Sequence, residues 1–194
     1  MLEIRWHARA GQGAVTAAKV FAEAAMEEGQ YIQAMPEYGP ERSGAPIRAY
    51  NRISAEPIRL HCQVTTPNVV VVVDPTLVGT EDLLAGTEAT ATLLINTPRS
   101  AWEVREELQV SGCTIRTLDA TRIAVEEMGK NFPNTPLVGA LARVTGAISV
   151  EGVKAQVRRE LGKKVAPEVL ASNLRAVERG YREVRGEDAR GGPS

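Results

Sequence analysis

Apolar and polar residues alternate from the start of the chain: Leu2, Ile4 and Trp6 are separated by Glu3, Arg5 and His7, the period-two pattern of a β-strand. Ala14, Ala18, Phe21, Ala22 and Ala25 then recur at the spacing of one helix face. Val69 to Val73 is an unbroken run of five β-branched residues ending at Asp74-Pro75, which suits a central strand buried on both faces. Thr92 to Ile95 repeats that pattern before Asn96-Thr97-Pro98, and Cys113 to Leu118 repeats it before Asp119. Ile47 to Ile53 mostly alternates and predicts a strand with one apolar face. Helical spacing covers Thr121 to Gly129, Leu137 to Ala147, Val150 to Leu161 and Pro167 to Val184, several opened by Thr, Ser or Pro and closed at Gly. The stretch from Asn134 to Ile148 is apolar and small, with Gly139, Ala140 and Ala142 allowing close helix approach within the core or against another subunit. Strands alternating with helices predict an α/β fold, a largely parallel central sheet flanked by helices with a helical C-terminal part. One domain is expected over residues 1–185, followed by a disordered tail over 186–194.

The junction between the first strand and helix, Arg9-Ala10-Gly11-Gln12-Gly13-Ala14-Val15-Thr16-Ala17, carries the most chemistry. Two closely spaced glycines there let the backbone approach a ligand with no Cβ in the way, and the unpaired N–H groups at the helix start favour an anion such as a nucleotide or CoA phosphate. The dinucleotide fingerprint would need a third glycine where Thr16 stands, so a tight βα turn that binds nothing is an equal reading of these residues alone. In a parallel sheet Asp74, Asn96, Thr97 and Asp119 fall beyond the same strand ends as Gly11 and Gly13, with helix capping the expected role of Asp74 and Asp119. Pro36 to Pro46 holds three prolines and two glycines in eleven residues, a stiff exposed loop that presents Glu41 and Arg42, with a plain surface loop carrying a local ion pair an equal reading of these residues alone.

Composition closes off other classes. A net charge of −1 and 4% aromatic residues provide neither a basic field nor stacking platforms for nucleic acid. No apolar run reaches the roughly 20 residues of a membrane helix, and the N-terminus has no signal-peptide pattern, so a cytoplasmic protein is expected. Cys62 and Cys113 stand far apart and are expected as reduced, mostly buried thiols; a cubane iron–sulfur cluster takes about four thiolates, and His7 and His61 lack metal-ligand spacing. No nucleophile elbow, no activated cysteine and no paired carboxylates are present, so neither a catalytic residue nor a metal site is assigned. A binding module within a larger machine accounts for this better than an independent enzyme.

The chain resembles the gamma subunit of 2-oxoacid:ferredoxin oxidoreductases, most of all the pyruvate type, from Ile4 to about Val184. The markers are Gly11-Gln12-Gly13-Ala14-Val15-Thr16-Ala17, Tyr38-Gly39-Pro40-Glu41-Arg42-Ser43-Gly44-Ala45-Pro46, Arg52-Ile53-Ser54, Asp74-Pro75-Thr76-Leu77, Asn96-Thr97, Asp119-Ala120-Thr121, Asn134-Thr135 and Arg179-Gly180-Tyr181. The resemblance implies a Rossmann-like fold and a subunit that is not catalytic alone, in a complex converting pyruvate and CoA to acetyl-CoA and CO2 while reducing ferredoxin, reversibly. It also implies alpha, beta and delta partner subunits, with thiamine diphosphate, Mg and 4Fe-4S clusters on those other chains. CoA is then the one ligand expected on this chain, at Gly11, Gln12, Gly13 and Ala14, with Tyr38, Glu41, Arg42, Ser43 and Gly44 on the facing loop. Related 2-oxoisovalerate or indolepyruvate oxidoreductases, or a stand-alone nucleotide-binding module, are the alternatives.

Overall fold

The computed structural model describes residues 1–37 and 44–186. Among them, seven strands form one sheet in the order β2-β3-β1-β4-β5-β6-β7. The strands are β1 (Leu2–Arg9), β2 (Tyr31–Glu37), β3 (Pro46–Ser54), β4 (Val69–Val72), β5 (Thr92–Asn96), β6 (Thr114–Leu118) and β7 (Arg185–Gly186). The helices are α1 (Ala14–Glu27), α2 (Ala101–Leu108), α3 (Ala120–Met128), α4 (Asn134–Thr145), α5 (Val150–Leu161) and α6 (Pro167–Glu183). The centre is parallel, β1 to β4 to β5 to β6, as the alternation of strands and helices predicts. The flanks are antiparallel: β3 against β1, β2 against β3, and the short β7 against β6. Gly186, expected to begin the tail, thus ends the sheet, and residues 187–194 lie outside the described residues.

The five valines serve two cores. Val69, Val71 and Val73 face a large apolar cluster under α1, α3, α4, α5 and α6, while Val70 and Val72 face a smaller one with Leu93, Ile95, Ala101, Val104 and Ile115. A strand covered on both faces has no solvent side, hence no alternation in its sequence. On the larger side α4 crosses α6 through two glycines. A Cβ at Gly139 would overlap the Val177 carbonyl oxygen, and one at Gly180 would overlap that of Pro136. The small residues of α4 therefore pack inside this chain, with Pro136 to Ala142 all buried.

Besides β7, two elements were not expected from the pattern: β2, whose run includes Pro36, and α2. Helix α2 is opened by a reciprocal capping box in which the Ser100 hydroxyl accepts from Glu103 N and the Glu103 carboxylate accepts from Ser100 N. Strand β3 also departs from the expectation of one apolar face. Its polar Arg52 is as buried as Ile53, because irregular chain covers the second face, while the equally buried Asn51 lies on the helical face with Ala49 and Ile53. That same irregular chain leaves Cys62 exposed, against the expectation of two buried thiols, while Cys113 is buried.

Candidate functional site

The parallel strands end on one side, and the turn from β1 into α1 lies there. Gly11 (φ 96°) and Gly13 (φ 76°) both occupy the left-handed region, which side chains rarely enter. Gly13 is constrained a second way, since a Cβ on it would stand 2.7 Å from Asn134 Nδ2. Gly13 ends the turn with no side chain of its own to cap α1, and among the described residues no side-chain hydrogen bond caps the start of that helix. Ala14 contributes only its backbone, its side chain being fully buried.

Gln12 holds the turn shut. Its Nε2 donates to Asp74 Oδ2 at 2.6 Å, and its Oε1 accepts from Arg9 N at 2.8 Å. Asp74 Oδ1 accepts from Thr76 N and Thr76 Oγ1, capping a single 3-10 turn at Pro75–Leu77. Burial pushes the Asp74 carboxyl up, but the Thr76 and Gln12 hydrogen bonds and the Arg9 charge outweigh it and hold it below its ordinary value. Arg9 crosses the opening, with Nε donating to Thr76 Oγ1 at 3.1 Å and Nη1 donating to Gly44 O at 3.1 Å. Ala10 N donates to Ala45 O as well, so the start of β3 is fastened to the glycine turn.

Of the residues expected at the site, Gly11, Gln12, Gly13, Ala14 and Gly44 are thus brought together. Tyr38, Glu41, Arg42 and Ser43 lie outside the described residues. Asp119 caps α3 through Arg122 N, as expected, and Asn96 bridges Val73 O to Thr121. Sequence reasoning missed Arg9 and Thr76 as members of the cluster; Arg9 stood inside the quoted glycine stretch, but only the fold shows its guanidinium between Thr76 and Gly44.

Two cavities adjoin this edge. One of about 450 Å3 runs from Gly11 and Gly13 along α1 between α4, α5 and α6, with Asn134 at its head. The other, about 260 Å3, lies on the opposite face and is lined by His7, Glu37, Arg48 and Glu81. There Arg5 Nε donates to His7 Nε2 at 3.0 Å, so the proton of the neutral imidazole is on Nδ1. Burial, then the charges of Arg5 and Arg48, push the His7 pKa down to about 3. Arg48 pairs with Glu81 at 2.9 Å, and the Tyr50 hydroxyl donates to Glu37. Among the described residues no three His, Cys, Asp or Glu side chains come together as a metal site, and no helix is long and apolar enough to cross a membrane.

A family profile described as pyruvate ferredoxin/flavodoxin oxidoreductase matches residues 3–183. The chain is 48% identical over 183 residues to the pyruvate synthase subunit PorC of Thermotoga maritima, covering 94% of each chain. It is 45% identical to the pyruvate/ketoisovalerate oxidoreductases common subunit gamma of Thermococcus litoralis, covering 86% of this chain and 92% of that one. Its fold is similar to the crystal structure of the Thermotoga maritima pyruvate oxidoreductase subunit, with TM-score 0.86, 43% identity, and coverage of 96% and 98%. A 2-oxoglutarate:ferredoxin oxidoreductase from Magnetococcus marinus, solved with 2-oxoglutarate, coenzyme A and succinyl-CoA, shares the fold at TM-score 0.77 and 24% identity over 93% of this chain and 30% of that one.

Proposed function

The chain belongs to the pyruvate ferredoxin/flavodoxin oxidoreductase family, and from that premise we propose that it is the gamma subunit of a pyruvate:ferredoxin oxidoreductase. The complex oxidatively decarboxylates pyruvate with CoA, giving acetyl-CoA, CO2 and reduced ferredoxin, and can run in reverse. The single observation that carries this reading is the 48% identity to a pyruvate synthase subunit across 94% of both chains. The partners are alpha, beta and delta subunits in the cytoplasm, with ferredoxin as the acceptor.

This chain's own part is to bind CoA and to assemble. The N–H groups of the first turn of α1, which no described side chain caps, receive a CoA phosphate, and Gly11 and Gly13 keep that approach open. Gln12 and Asp74 fix the turn and Arg9 ties it to Gly44, and on this reading Arg42 supplies a bidentate contact to the same phosphate. Thiamine diphosphate with Mg supplies the decarboxylation chemistry and 4Fe-4S clusters carry the electrons; two cysteines, one exposed and one buried, do not make a cluster site on this chain, so these groups belong to the partner subunits.

The test is anaerobic purification of the complex with Arg42→Ala in this chain. The Michaelis constant for CoA should rise about tenfold, the scale of one lost charge-assisted pair, while that for pyruvate stays unchanged. An unchanged CoA dependence rejects the CoA role, and recovery of the wild-type chain with no partner subunits rejects the assignment itself. A second reading is favoured by one relative, the subunit shared by pyruvate and ketoisovalerate oxidoreductases. On that reading one gamma chain serves two 2-oxoacids, and 2-oxoisovalerate assayed on the same preparation decides it.

A further inference from the structure

A third cavity lies further along the sheet, beyond the ends of β5 and β6, and takes no part in the CoA site. At about 50 Å3 it has room for a few waters or one tetrahedral oxyanion and nothing larger. Thr117 lines it from β6, is 1% exposed, and its hydroxyl has no hydrogen-bond partner among the described residues. A buried hydroxyl left unpaired is a standing cost, and packing does not require one, because valine has the same shape. Thr97, buried just past the end of β5, lines the same cavity with a second hydroxyl. Its Oγ1 accepts from Arg99 N at 3.3 Å, so its own proton is free to donate.

The charges around these hydroxyls select the ligand. Arg99, Arg122 and Arg185 border the cavity against the carboxylates of Asp119 and Glu183, which leaves a positive surplus. Both carboxylates are already held: Asp119 Oδ1 accepts from Arg122 N at 3.0 Å, and Glu183 accepts from Arg122 Nη2 at 2.9 Å and from Arg179 Nε at 2.6 Å. Arg99 donates to Glu107 at 2.6 Å and to Glu103 O at 3.1 Å. Arg185 is different. It stands directly opposite Thr117 in the pairing of β6 with β7, so the two side chains share a face, and its guanidinium has no hydrogen bond or ion pair among the described residues. A free guanidinium beside two hydroxyls is a set of donors that repels a cation. A tetrahedral oxyanion meets the guanidinium fork with two oxygens and keeps others for the hydroxyls, which a planar carboxylate cannot do.

We propose that this cavity binds a tetrahedral oxyanion of the size of phosphate, held by Arg185 and the hydroxyls of Thr117 and Thr97. Strand β7 pairs at only two positions, Arg116 with Gly186 and Thr117 with Arg185, and it follows α6 directly, so the bound anion fastens the end of α6 to the sheet. Two sources carry this chemistry, the free ion and the end of a phosphomonoester, and the size of the cavity favours the free ion.

The test is titration of the full-length chain with inorganic phosphate, followed by amide-resolved NMR and by thermal unfolding, against sodium chloride at matched ionic strength. Phosphate should shift the amides of Thr97, Thr117 and Arg185 saturably and raise Tm, as a ligand of the folded state does. Thr117→Val and Arg185→Gln should each weaken phosphate about tenfold. Thr117→Val keeps the shape of the side chain and should be no less stable than the wild type without phosphate, which a merely structural hydroxyl would not allow. Shifts no larger than those in chloride, or wild-type affinity in both variants, would overturn the site and leave it to water. Shifts confined to Gly11 to Ala14 would overturn it as well, while supporting a phosphate at the glycine turn. Glycerol phosphate should bind about tenfold more weakly than phosphate, and equal binding would assign the same site to a phosphomonoester.

Discussion

On one face of β1, Ile4, Trp6 and Ala8 are fully buried beneath helices; on the other, Arg5 and His7 are almost as buried, beneath chain with no regular structure. The two covers make different demands. A helix satisfies its own backbone, so the strand face beneath it needs only to supply hydrocarbon. The irregular segments around residues 60–63 and 81–85 bring backbone carbonyls to the sheet, and these need donors. The strands provide guanidinium forks: Arg5 donates to Leu83 O and Ala85 O, both at 2.9 Å, and Arg52 donates to Cys62 O at 2.7 Å and Gln63 O at 3.1 Å. The side-chain chemistry of each face thus follows from the backbone state of what covers it. One polar residue crosses to the helical side: Asn51 accepts from Trp6 Nε1 and donates to Ala18 O, both at 2.8 Å.

The largest effect is expected on the hydrocarbon face. Trp6→Ala empties the space of a fully buried side chain and leaves Asn51 Oδ1 without its donor, a loss of about 4 kcal/mol in urea unfolding. On the other face, Arg52→Met keeps most of the apolar stem and removes the fork, stranding two carbonyls and the Glu3 carboxylate that Arg52 Nε holds at 2.7 Å. About 3 kcal/mol is expected there. The two losses should differ in place as well as size. Hydrogen exchange should speed up locally around residues 60–63 in Arg52→Met and across α1 and β3 together in Trp6→Ala. Equal, global acceleration in both variants would show that the irregular cover has no independent hold on the sheet.

This difference also explains what could be read beforehand. The valine run of β4, the bounds of α5 and the glycine turn were legible, because burial on both faces, helical period and paired glycines each leave a local pattern in sequence. The alternation of β1 and β3 identified which residues share a face. It did not tell that the polar face would be covered, because the cover comes from residues 60–63 and 81–85, which have no period of their own. Strand β2 escaped notice because Pro36 interrupts it near the sheet edge, where its missing N–H is tolerated. Helix α2 had a readable signal in Ser100-Ala101-Trp102-Glu103, a capping box that went unused. At the site, the glycines were visible, but the Arg9, Gln12, Asp74 and Thr76 cluster depends on β1 and β4 lying side by side, a pairing between residues far apart in the chain.

The variant with the smallest expected effect at neutral pH tests the charged face through its pH dependence. His7 meets Arg5 and Arg48 on its own and the neighbouring strand, with Glu37, Tyr50 and Glu81 around the same cavity. Its pKa in the folded chain is about 3, against 6.5 for the free side chain. As the pH falls below 6.5 the unfolded chain takes up the proton first, so this contribution to stability is complete above 6.5 and drains away as pH falls toward 3. The slope is about 1.4 kcal/mol per pH unit across that window. His7→Gln keeps an acceptor for Arg5 Nε and cannot titrate. The variant should match the wild type to within about 1 kcal/mol above neutrality, and its stability should fall less steeply between pH 6 and about 4, where the difference between the two curves isolates His7 from the carboxylates. Parallel curves would mean that the imidazole is reached by water and protonates in place, and that the charged face is looser than the hydrocarbon face it backs.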